Sequence, residues 1–476
     1  MACGDAGCGD RLVFSTTIAI IYVAIFLLFA WKLSVRSKGP PLGEIGFIFS
    51  TWAMLYFILP FVLIHFLDVT NVDSVDGRMM RIGVDEGLME KVALLNLVFG
   101  GTFMGVYYYS VRNRCSVHLD SALTPHSGRG SYFLPAIVLY FVTAVGALLV
   151  NVLFAAESSS YGETYFRYRH LPIIAQKFFP IIQAWVVSSA VILCVVIFWS
   201  HRPSRWRLIF VILVISAVSS FVSESRAGLL MTGMAIALSV HLFARSFSWR
   251  FFLLASSSMF IFMMWFGANR AGEDIWSSLE HNEFSAVFTT QYHIANEVES
   301  GRHVDASWPV YASDFMAVIP QPLLPFTKQD PSSWYMEQYF PLLIDDGQGF
   351  AFGVIAESII GFGVWESLFR GLILGLVLAA IRNKFFSRLD NIYWSCAYIF
   401  LCVTVYHAYR VTTFSQIRIF LFHVAPLLLV LYLLHKSRNS VIRRLYFEQA
   451  LLPFRQTNVG SDSAPQSSLS EPPLNG

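Results

Sequence analysis

The sequence predicts an all-α, polytopic integral membrane protein with about 11 transmembrane helices and one long extramembrane loop. Its 476 residues are 55% hydrophobic and only 13% charged, whereas soluble domains carry roughly 25% charged residues. The apolar residues form runs of about 17 to 25, the length that a helix needs to cross the hydrocarbon core. Lys and Arg alternate between successive loops, as they do in multi-pass membrane proteins.

Apolar runs bounded by charged or turn residues define the predicted spans. They lie near 13–32, 44–66, 91–110, 132–155, 178–200, 207–223, 226–245, 250–268, 350–381, 391–408 and 418–436. The run at 350–381 is too long for one simple crossing and contains Gly361-Phe-Gly363. We therefore expect it to be kinked, tilted, or divided into a re-entrant segment followed by a helix.

Basic residues set the predicted orientation, because short cytoplasmic loops retain positive charge. One set of loops carries Lys32, Arg36 and Lys38; Arg112, Arg114 and Arg129; Arg202, Arg205 and Arg207; Arg245 and Arg250; Arg382, Lys384 and Arg388; and Lys436, Arg438, Arg443 and Arg444. We assign this set to the cytoplasm. The N-terminus and the segments 68–90, 156–177, 223–226, 269–349 and 409–417 then face outward. Residues 1–455 form one membrane domain, and the Ser- and Pro-rich residues 456–476 are expected to be a disordered cytoplasmic tail.

The charge and the cysteines limit the partners. A net charge of +2 is too small for a nucleic-acid-binding protein, which needs a concentrated basic face. The six cysteines form no CxxC pair and no cluster with histidine at metal-ligand spacing. The sequence therefore predicts neither a metal site nor a cofactor.

The segment 269–349 is the long outward loop. It contains twelve acidic residues against Arg270, Arg302 and Lys328, together with several aromatic residues. Flat apolar rings and carboxylates suit sugars, which present C–H faces and hydroxyl donors. Trp334, Tyr335, Asp345 and Asp346 are the candidate sugar-binding residues. The alternative is an amphipathic lid on the bilayer surface.

Four arginines lie at span ends on the outward side, where charge is costly and asks for a reason. Arg226 stands in Ser-Glu-Ser-Arg-Ala-Gly, Arg270 closes a span, and Arg410 and Arg418 flank a turn. The planar guanidinium binds phosphate oxygens bidentately, so the four are candidates for holding a lipid pyrophosphate. The alternative is interfacial anchoring by snorkelling.

Two residues are candidate catalytic bases. Glu357 lies in the apolar stretch Gly-Val-Ile-Ala-Glu-Ser-Ile-Ile just after the acidic loop. It either pairs with an arginine or accepts a proton from a sugar hydroxyl. His407, in His-Ala-Tyr-Arg410, lies on the same predicted face.

Two short motifs carry a resemblance to a known family. These are Ser-Glu-Ser-Arg226-Ala-Gly at the start of a span and Gly347-Gln-Gly349-Phe-Ala-Phe-Gly353-Val-Ile-Ala-Glu357-Ser-Ile-Ile-Gly-Phe-Gly363 after a long outer loop. Over roughly residues 219–420 the chain resembles the Wzy-type O-antigen polymerases and, more distantly, the O-antigen ligases. Before that region only the hydropathy is similar.

The resemblance implies a glycosyltransferase of the bacterial inner membrane, with a periplasmic N-terminus and a cytoplasmic C-terminus. Such an enzyme joins undecaprenyl-pyrophosphate-linked oligosaccharide repeat units at the periplasmic face by an inverting, metal-independent transfer. Arg226 matches the family's Ser-Arg-Gly/Ala pattern, whereas Arg270, Arg410 and Arg418 are placed by topology. Membrane lipid, a chain-length regulator and a flippase are the further partners that the resemblance implies.

Two rival functions remain open. An O-antigen ligase uses the same donor with a different acceptor. A flippase or exporter of lipid-linked sugars more often shows internal repeats or paired broken helices in two halves, and this sequence has no visible duplication. A purely structural membrane component would leave the outward arginines without a role.

Overall fold

A computed structural model describes most of the helical part of the chain. The described residues are 8–37, 40–67, 71–75, 78–81, 85–112, 132–155, 173–200, 205–222, 226–271, 283–302, 308–310, 316, 319, 323–341, 351–412 and 415–438. Asp345, Asp346, the tail 456–476 and parts of the loop 269–349 lie outside them. The backbone at Arg226 and Arg270 is described, but their side chains are not.

The described chain is helical apart from one hairpin. Its helices are α1 (Cys8–Ser37), α2 (Ile45–Leu67), α3 (Glu86–Val111), α4 (Phe133–Ala155), α5 (Ile173–Trp199), α6 (Arg205–Val222), α7 (Arg226–Phe243), α8 (Trp249–Ala271), α9 (Glu283–Glu299), α10 (Pro331–Tyr339), α11 (Val354–Ile360), α12 (Val364–Phe386), α13 (Ile392–Thr404), α14 (His407–Arg410) and α15 (Ser415–Ile419). A π-helical turn (Phe420–Val424) continues α15 into helical residues 425–438.

Seven segments among the described residues are helices long and apolar enough to cross a membrane. They are Phe14–Ser37, Ile45–Ile64, Gly87–Val111, Phe133–Val150, Ile181–Trp199, Val364–Phe386 and Ile417–Arg438. Four shorter apolar helices are Trp206–Val218, Gly228–Phe243, Trp249–Phe262 and Ile392–Thr404. Each lies in or overlaps one of the predicted runs. The structure therefore supports a helical, polytopic membrane protein, while the count of eleven crossings stays a prediction.

Two local features bear on the predicted loops and spans, and only the second was predicted. β1 (Asn71–Val75) and β2 (Arg78–Arg81) pair antiparallel inside the loop 68–90, where no strand was predicted. The predicted interruption of the run 350–381 is confirmed. α11 ends at Ile360, and α12 begins at Val364 after Gly363, whose φ of +61° favours glycine.

Small residues let the central helices approach closely. A side chain at Gly371 would lie 2.6 Å from the backbone oxygen of Phe99, and one at Gly375 would lie 3.0 Å from that of Phe103. These glycines are four residues apart on α12, so both face α3. This G-x-x-x-G spacing allows backbone contact between helices in membranes, where packing drives association.

Helix ends that flank the predicted basic loops meet at one end of the bundle, which we call the basic end. Trp249 donates to Ser34 Oγ over 3.2 Å, and Trp199 donates to the Leu389 carbonyl over 3.3 Å. The ring of Tyr132 stacks on His435 at 3.8 Å. In the described part of the chain, helix ends that were predicted to share one side therefore lie together.

A buried ion pair joins the start of α2 to α12 at the basic end. Arg382 donates to both carboxylate oxygens of Glu44, with Nη2 2.6 Å from Oε1 and Nε 2.9 Å from Oε2, and Tyr107 donates to Oε2 over 2.8 Å. Tyr398 accepts from the N–H of Ile45, the first residue of α2. The start of α2 is thus capped by side chains from distant helices.

Described parts of two segments that were predicted to face outward, 68–90 and 269–349, meet at the opposite end of the bundle, which we call the acidic end. The backbone N–H of Asp85, the N-cap of α3, donates to Tyr292 Oη over 2.9 Å. Lys91 lies 3.2 Å from Glu299. These contacts join the start of α3 to α9, and so tie part of the segment 269–349 to the bundle.

Candidate functional site

Helix α9 belongs to the predicted outer loop, yet it packs among the apolar helices. The ring of Phe284, near its start, stacks on Trp52 at 6.2 Å and contacts Tyr56 at 4.9 Å, both well inside α2. Its last residue, Glu299, reaches Lys91 at the acidic end. The helix therefore runs from inside the bundle to its acidic end, with Val287 and Phe288 fully buried.

Polar side chains line the buried face of α9. Asn96 of α3 donates to Gln291 Oε1 over 3.2 Å, and Tyr409 of α14 donates to Asn96 Oδ1. All three side chains are buried. Such groups are costly inside a membrane unless they bond to one another, so this network fixes α9 against α3 and α14.

Glu357 forms a buried ion pair, as one of the two sequence interpretations expected. Its partner is Arg370 of α12, with Nη1 2.8 Å from Oε2. Arg370 also contacts Glu366, with Nε 2.7 Å and Nη2 2.6 Å from Oε1. We call these three residues the central triad. It places two carboxylates on one guanidinium, and only 6% of the Arg370 side chain is exposed.

The central triad lies near the middle of α3 rather than at its end. Gly371, which follows Arg370, faces Phe99, and Phe99 is about halfway along α3. Glu366 also accepts from the backbone N–H of Phe362, 2.9 Å away, in the break between α11 and α12. A side chain at Gly361 would overlap Glu366, so the break and the triad depend on each other.

The segment that carries Arg410 lies beside the start of α11. The N–H of Gly353 donates to the Val411 carbonyl over 3.0 Å, and a side chain at Gly353 would lie 3.2 Å from the Tyr409 oxygen. Gly353 also has a φ of +84°, which favours glycine. Because Glu357 is one turn further along, it lies about 6 Å from Gly353 along the helix axis.

Four cationic or titratable side chains gather around α14, and we call them the cationic cluster: His407, Arg410, Arg418 and His423. His407 lies within electrostatic range of Arg410, Arg418 and His423. Its imidazole stacks on the ring of Tyr406 at 4.1 Å. Two arginines beside two imidazoles suit an anionic ligand.

Helix α10, which belongs to the segment 269–349, lies beside this cluster. Arg418 Nη1 lies 3.9 Å from Asp330, which precedes the first turn of α10. Trp334 and Tyr335 of that helix are 3% and 1% exposed. Their rings pack on Phe352, at 6.3 Å and 5.6 Å, immediately before α11. These two candidate sugar-binding residues thus hold α10 against the site, while Trp308 is 62% exposed.

The structure brings some of the predicted site residues together and leaves others apart or outside the description. Glu357, His407, Arg410 and Arg418 lie on adjoining segments, α11, α14 and α15. Arg226 begins α7 and Arg270 is the penultimate residue of α8, with side chains outside the described part. Asp345 and Asp346 also lie outside it.

Sequence reasoning missed Arg370 and His423. Arg370 had a readable signal, since Glu366-Ser-Leu-Phe-Arg370 is an i, i+4 ion pair inside an apolar run. His423 lies within an apolar span, and nothing in its neighbours suggested that it would approach His407. Among the described residues, no group of three or more His, Cys, Asp or Glu side chains could hold a metal ion.

The fold and these contacts define a polytopic helical membrane protein with a charged centre buried between the broken helix α11–α12 and helix α9 of the segment 269–349. Comparison with protein-family models, characterised proteins and solved structures finds no match to the chain. The functional argument therefore depends on the residues themselves.

Proposed function

We propose that the protein is a polymerase that joins undecaprenyl-pyrophosphate-linked oligosaccharide repeat units into a surface polysaccharide. It would act as an inverting glycosyltransferase at the periplasmic face of the bacterial inner membrane, with its N-terminus periplasmic and its C-terminus cytoplasmic. The observation that carries the proposal is the cationic cluster beside the helix of Glu357. It supplies anion-binding groups and a carboxylate on adjoining segments, the pairing that this transfer requires.

The cationic cluster would bind the pyrophosphate of the donor. The planar guanidinium groups of Arg410 and Arg418 can bind phosphate oxygens bidentately. Arg226 and Arg270, at outward helix ends in the predicted topology, would complete the site. Negative charge grows on the pyrophosphate as the sugar departs, so fixed positive charge there stabilises the transition state.

The transfer needs a base for the acceptor hydroxyl. As its oxygen attacks the anomeric carbon, the bond from that carbon to the pyrophosphate breaks, the electron pair leaves with the phosphate, and the proton passes to the base. Glu357 and His407 are the two candidates. Glu357 is paired with Arg370, and an imidazole nitrogen of His407 can also accept a proton.

The outer segment would hold the sugars. Trp334 and Tyr335 fix α10 over the site, and the exposed ring of Trp308, 5.2 Å from that of Phe326, offers a flat apolar face to a pyranose. Asp345 and Asp346 would add acceptors for sugar hydroxyls. The lipid tail of the donor would remain in the membrane.

Two other functions use the same donor. An O-antigen ligase would share the pyrophosphate site and differ in its acceptor. A flippase or exporter would need a path for the sugars between the two ends of the bundle. At the basic end of the described core the buried pair of Glu44 and Arg382 holds α12 against the start of α2, and the candidate site residues lie away from it, which favours an enzyme.

The proposal is tested by substituting the clustered arginines in a strain that lacks the chromosomal gene. We expect Arg410→Ala, Arg418→Ala, Arg226→Ala and Arg270→Ala each to reduce polymer at least about tenfold, because each removes a charge-assisted phosphate contact. The measurement is the length distribution of surface glycan, with the amount of inserted protein measured in the same membranes. Arg302→Ala is the matched control, since Arg302 lies at the same end but pairs with Glu297.

The products of the deletion strain separate the three functions. Single repeat units on the surface support a polymerase. Polymer retained on its carrier lipid would show a ligase, and loss of lipid-linked units from the outer face would show an exporter. Normal polymer in all four arginine variants would contradict the assigned pyrophosphate site.

A further inference from the structure

The basic end carries a group that neither the fold nor the proposed function uses. Nη1 and Nη2 of Arg36, in the last turn of α1, are buried and have no hydrogen-bond partner among the described residues. A buried guanidinium without a partner is costly, because its donors have lost water and gained nothing. Such a group in a native structure indicates a ligand that supplies the acceptors.

The neighbouring carboxylate does not fill this role. Arg36 lies within electrostatic range of Glu44 and Arg382, but both oxygens of Glu44 already accept from Arg382 and one also accepts from Tyr107. Arg382 therefore adds positive charge beside Arg36 and already binds Glu44, the acid that acts on Arg36 among the described residues. Within the described part of the chain, Nη1 and Nη2 of Arg36 have no acceptor, which leaves room for one supplied by a ligand.

Two further cations stand on the same edge of α1 and α3. Lys32 Nζ lies 5.3 Å from the centre of the Tyr108 ring, and the guanidinium of Arg112 lies 3.8 Å from that of Tyr109. Together with Arg36 and Arg382, they make four basic side chains at this end of α1, α3 and α12, where Glu44 is already paired with Arg382. This surplus matches an anion rather than a neutral ligand.

The exposed residues around this edge indicate that the anion belongs to a membrane lipid. Trp31 and Tyr109 are 62% and 64% exposed, and aromatic residues of this kind mark the headgroup level of a membrane. The exposed apolar side chains of α1, including Leu27, Leu28 and Val35, continue from there along the helix. A lipid whose phosphate reaches Arg36 would lay its acyl chains on that apolar face.

We propose that the edge between the end of α1 and the end of α3 is a binding site for an anionic phospholipid. Its phosphodiester would accept from Nη1 and Nη2 of Arg36, with Lys32 and Arg112 flanking the headgroup. Basic pockets between transmembrane helices hold anionic headgroups by this chemistry. The site is separate from the proposed pyrophosphate site, which lies toward the acidic end.

The test measures lipid-dependent stability of the purified full-length protein. In detergent, we expect added phosphatidylglycerol to raise the thermal unfolding midpoint of the natural protein, and phosphatidylcholine to have little effect. Arg36→Ala should weaken the phosphatidylglycerol response at least about tenfold in half-saturating concentration, since it removes a bidentate contact to a charged group. Lys384→Ala is the matched control, because Lys384 is an exposed cation at the same end.

Further variants and ligands make the outcome decisive. Arg36→Lys keeps the charge without the planar fork, so it should bind phosphatidylglycerol with intermediate strength, and it replaces Arg36→Ala if that variant does not fold. Inorganic phosphate at equal ionic strength should not reproduce the stabilisation; if it does, the ligand is a free phosphate and the lipid assignment is overturned. Equal phosphatidylglycerol responses in the natural protein and both Arg36 variants would overturn the site itself.

Discussion

Helix α12 carries two buried arginines, and the two are used differently. Arg382, at the basic end, meets one carboxylate, that of Glu44, which is also bonded by Tyr107. Arg370, twelve residues earlier and thus about 18 Å away along the helix, meets two carboxylates, those of Glu357 and Glu366. The pair at the basic end has one carboxylate for the guanidinium of Arg382, whereas the central triad has two carboxylates for the guanidinium of Arg370.

This difference separates a structural role from a functional one. At the basic end, the pair joins α2 to α12, and removing either partner strands a charge in the core. In the central triad, Arg370 keeps one partner if the other is lost. The fold can therefore lose one carboxylate of the triad without leaving Arg370 unpaired, so one of the two can act in catalysis. Ionisable groups inside a membrane domain mark functional sites by default, and this comparison tells which of the two centres is the better candidate.

The largest expected effect is on the basic-end pair. Glu44→Ala leaves Arg382 without its carboxylate and Tyr107 without its acceptor, so we expect the free energy of unfolding to fall by about 3–5 kcal/mol. The measurement is the thermal unfolding midpoint in detergent, together with the amount of protein in the membrane. Glu299→Ala is the control, because its exposed pair with Lys91 contributes only about 0–1 kcal/mol.

A double variant separates pairing from packing at the same place. Glu44→Leu combined with Arg382→Met removes both charges, and we expect it to recover most of the lost stability, since apolar replacements of buried pairs are often neutral. If Glu44→Ala alone were as stable as the natural protein, the structural role of this pair would be wrong.

Substitutions in the central triad should lower activity more than stability, whereas those at the basic end should lower stability. We expect Glu357→Gln to lower polymerising activity about 100-fold or more if Glu357 is the base, while the unfolding midpoint changes little because Glu366 still holds Arg370. Glu366→Gln is the matched control and should retain most of the activity. Rates with purified protein and lipid-linked repeat units, and unfolding midpoints, are the two measurements.

The outcomes of that pair of variants assign the base. If Glu357→Gln keeps full activity and His407→Gln loses it, the imidazole is the base and the triad is structural. If both Glu357→Gln and Glu366→Gln unfold the protein, the contrast between the two centres of α12 fails.

The sequence predicted the helical membrane fold well, because run length and charge deficit are properties of single segments. It also located the break at Gly361–Gly363, since two glycines interrupt an overlong apolar run. It did not predict that α9, with its buried Val287 and Phe288, packs inside the bundle. In the sequence, polar residues such as Gln291 are typical of an exposed segment. Their burial is explained only by partners such as Asn96, which the folded structure brings close.

The candidate site residues stay a prediction, and only some of their contacts could be read from the sequence. His407, Arg410 and Glu357 were selected as candidates because charge in an apolar stretch is conspicuous. The partners of that charge were harder to predict, since Arg370 and His423 come close only after α12 and the last span have packed. Trp334 and Tyr335 were selected by residue type, and residue type does not distinguish a ring that stacks on sugar from one that packs on Phe352.

The smallest expected effect is a response to pH at the contact between α9 and α10, which has no counterpart at the Glu44–Arg382 pair. Tyr335 Oη lies 3.0 Å from His293 Nδ1, and burial lowers the pKa of His293. The folded state therefore favours the neutral imidazole, so its contribution to stability is complete above the ordinary pKa of about 6.5 and declines as the pH falls below it. Hydrogen bonds from Arg302 lower the pKa of Glu297, so acid weakens that contact too, at still lower pH.

Hydrogen exchange of the backbone amides in α9 and α10, corrected for intrinsic rates, should accordingly be faster at about pH 5 than at about pH 7. His293→Gln keeps a side chain that can bond to Tyr335 but cannot be protonated in this range, so its exchange should not change between the two pH values. Glu297 and Arg302 remain in that variant. If its amides still exchange faster at the lower pH, as in the natural protein, His293 is not the source of the pH response.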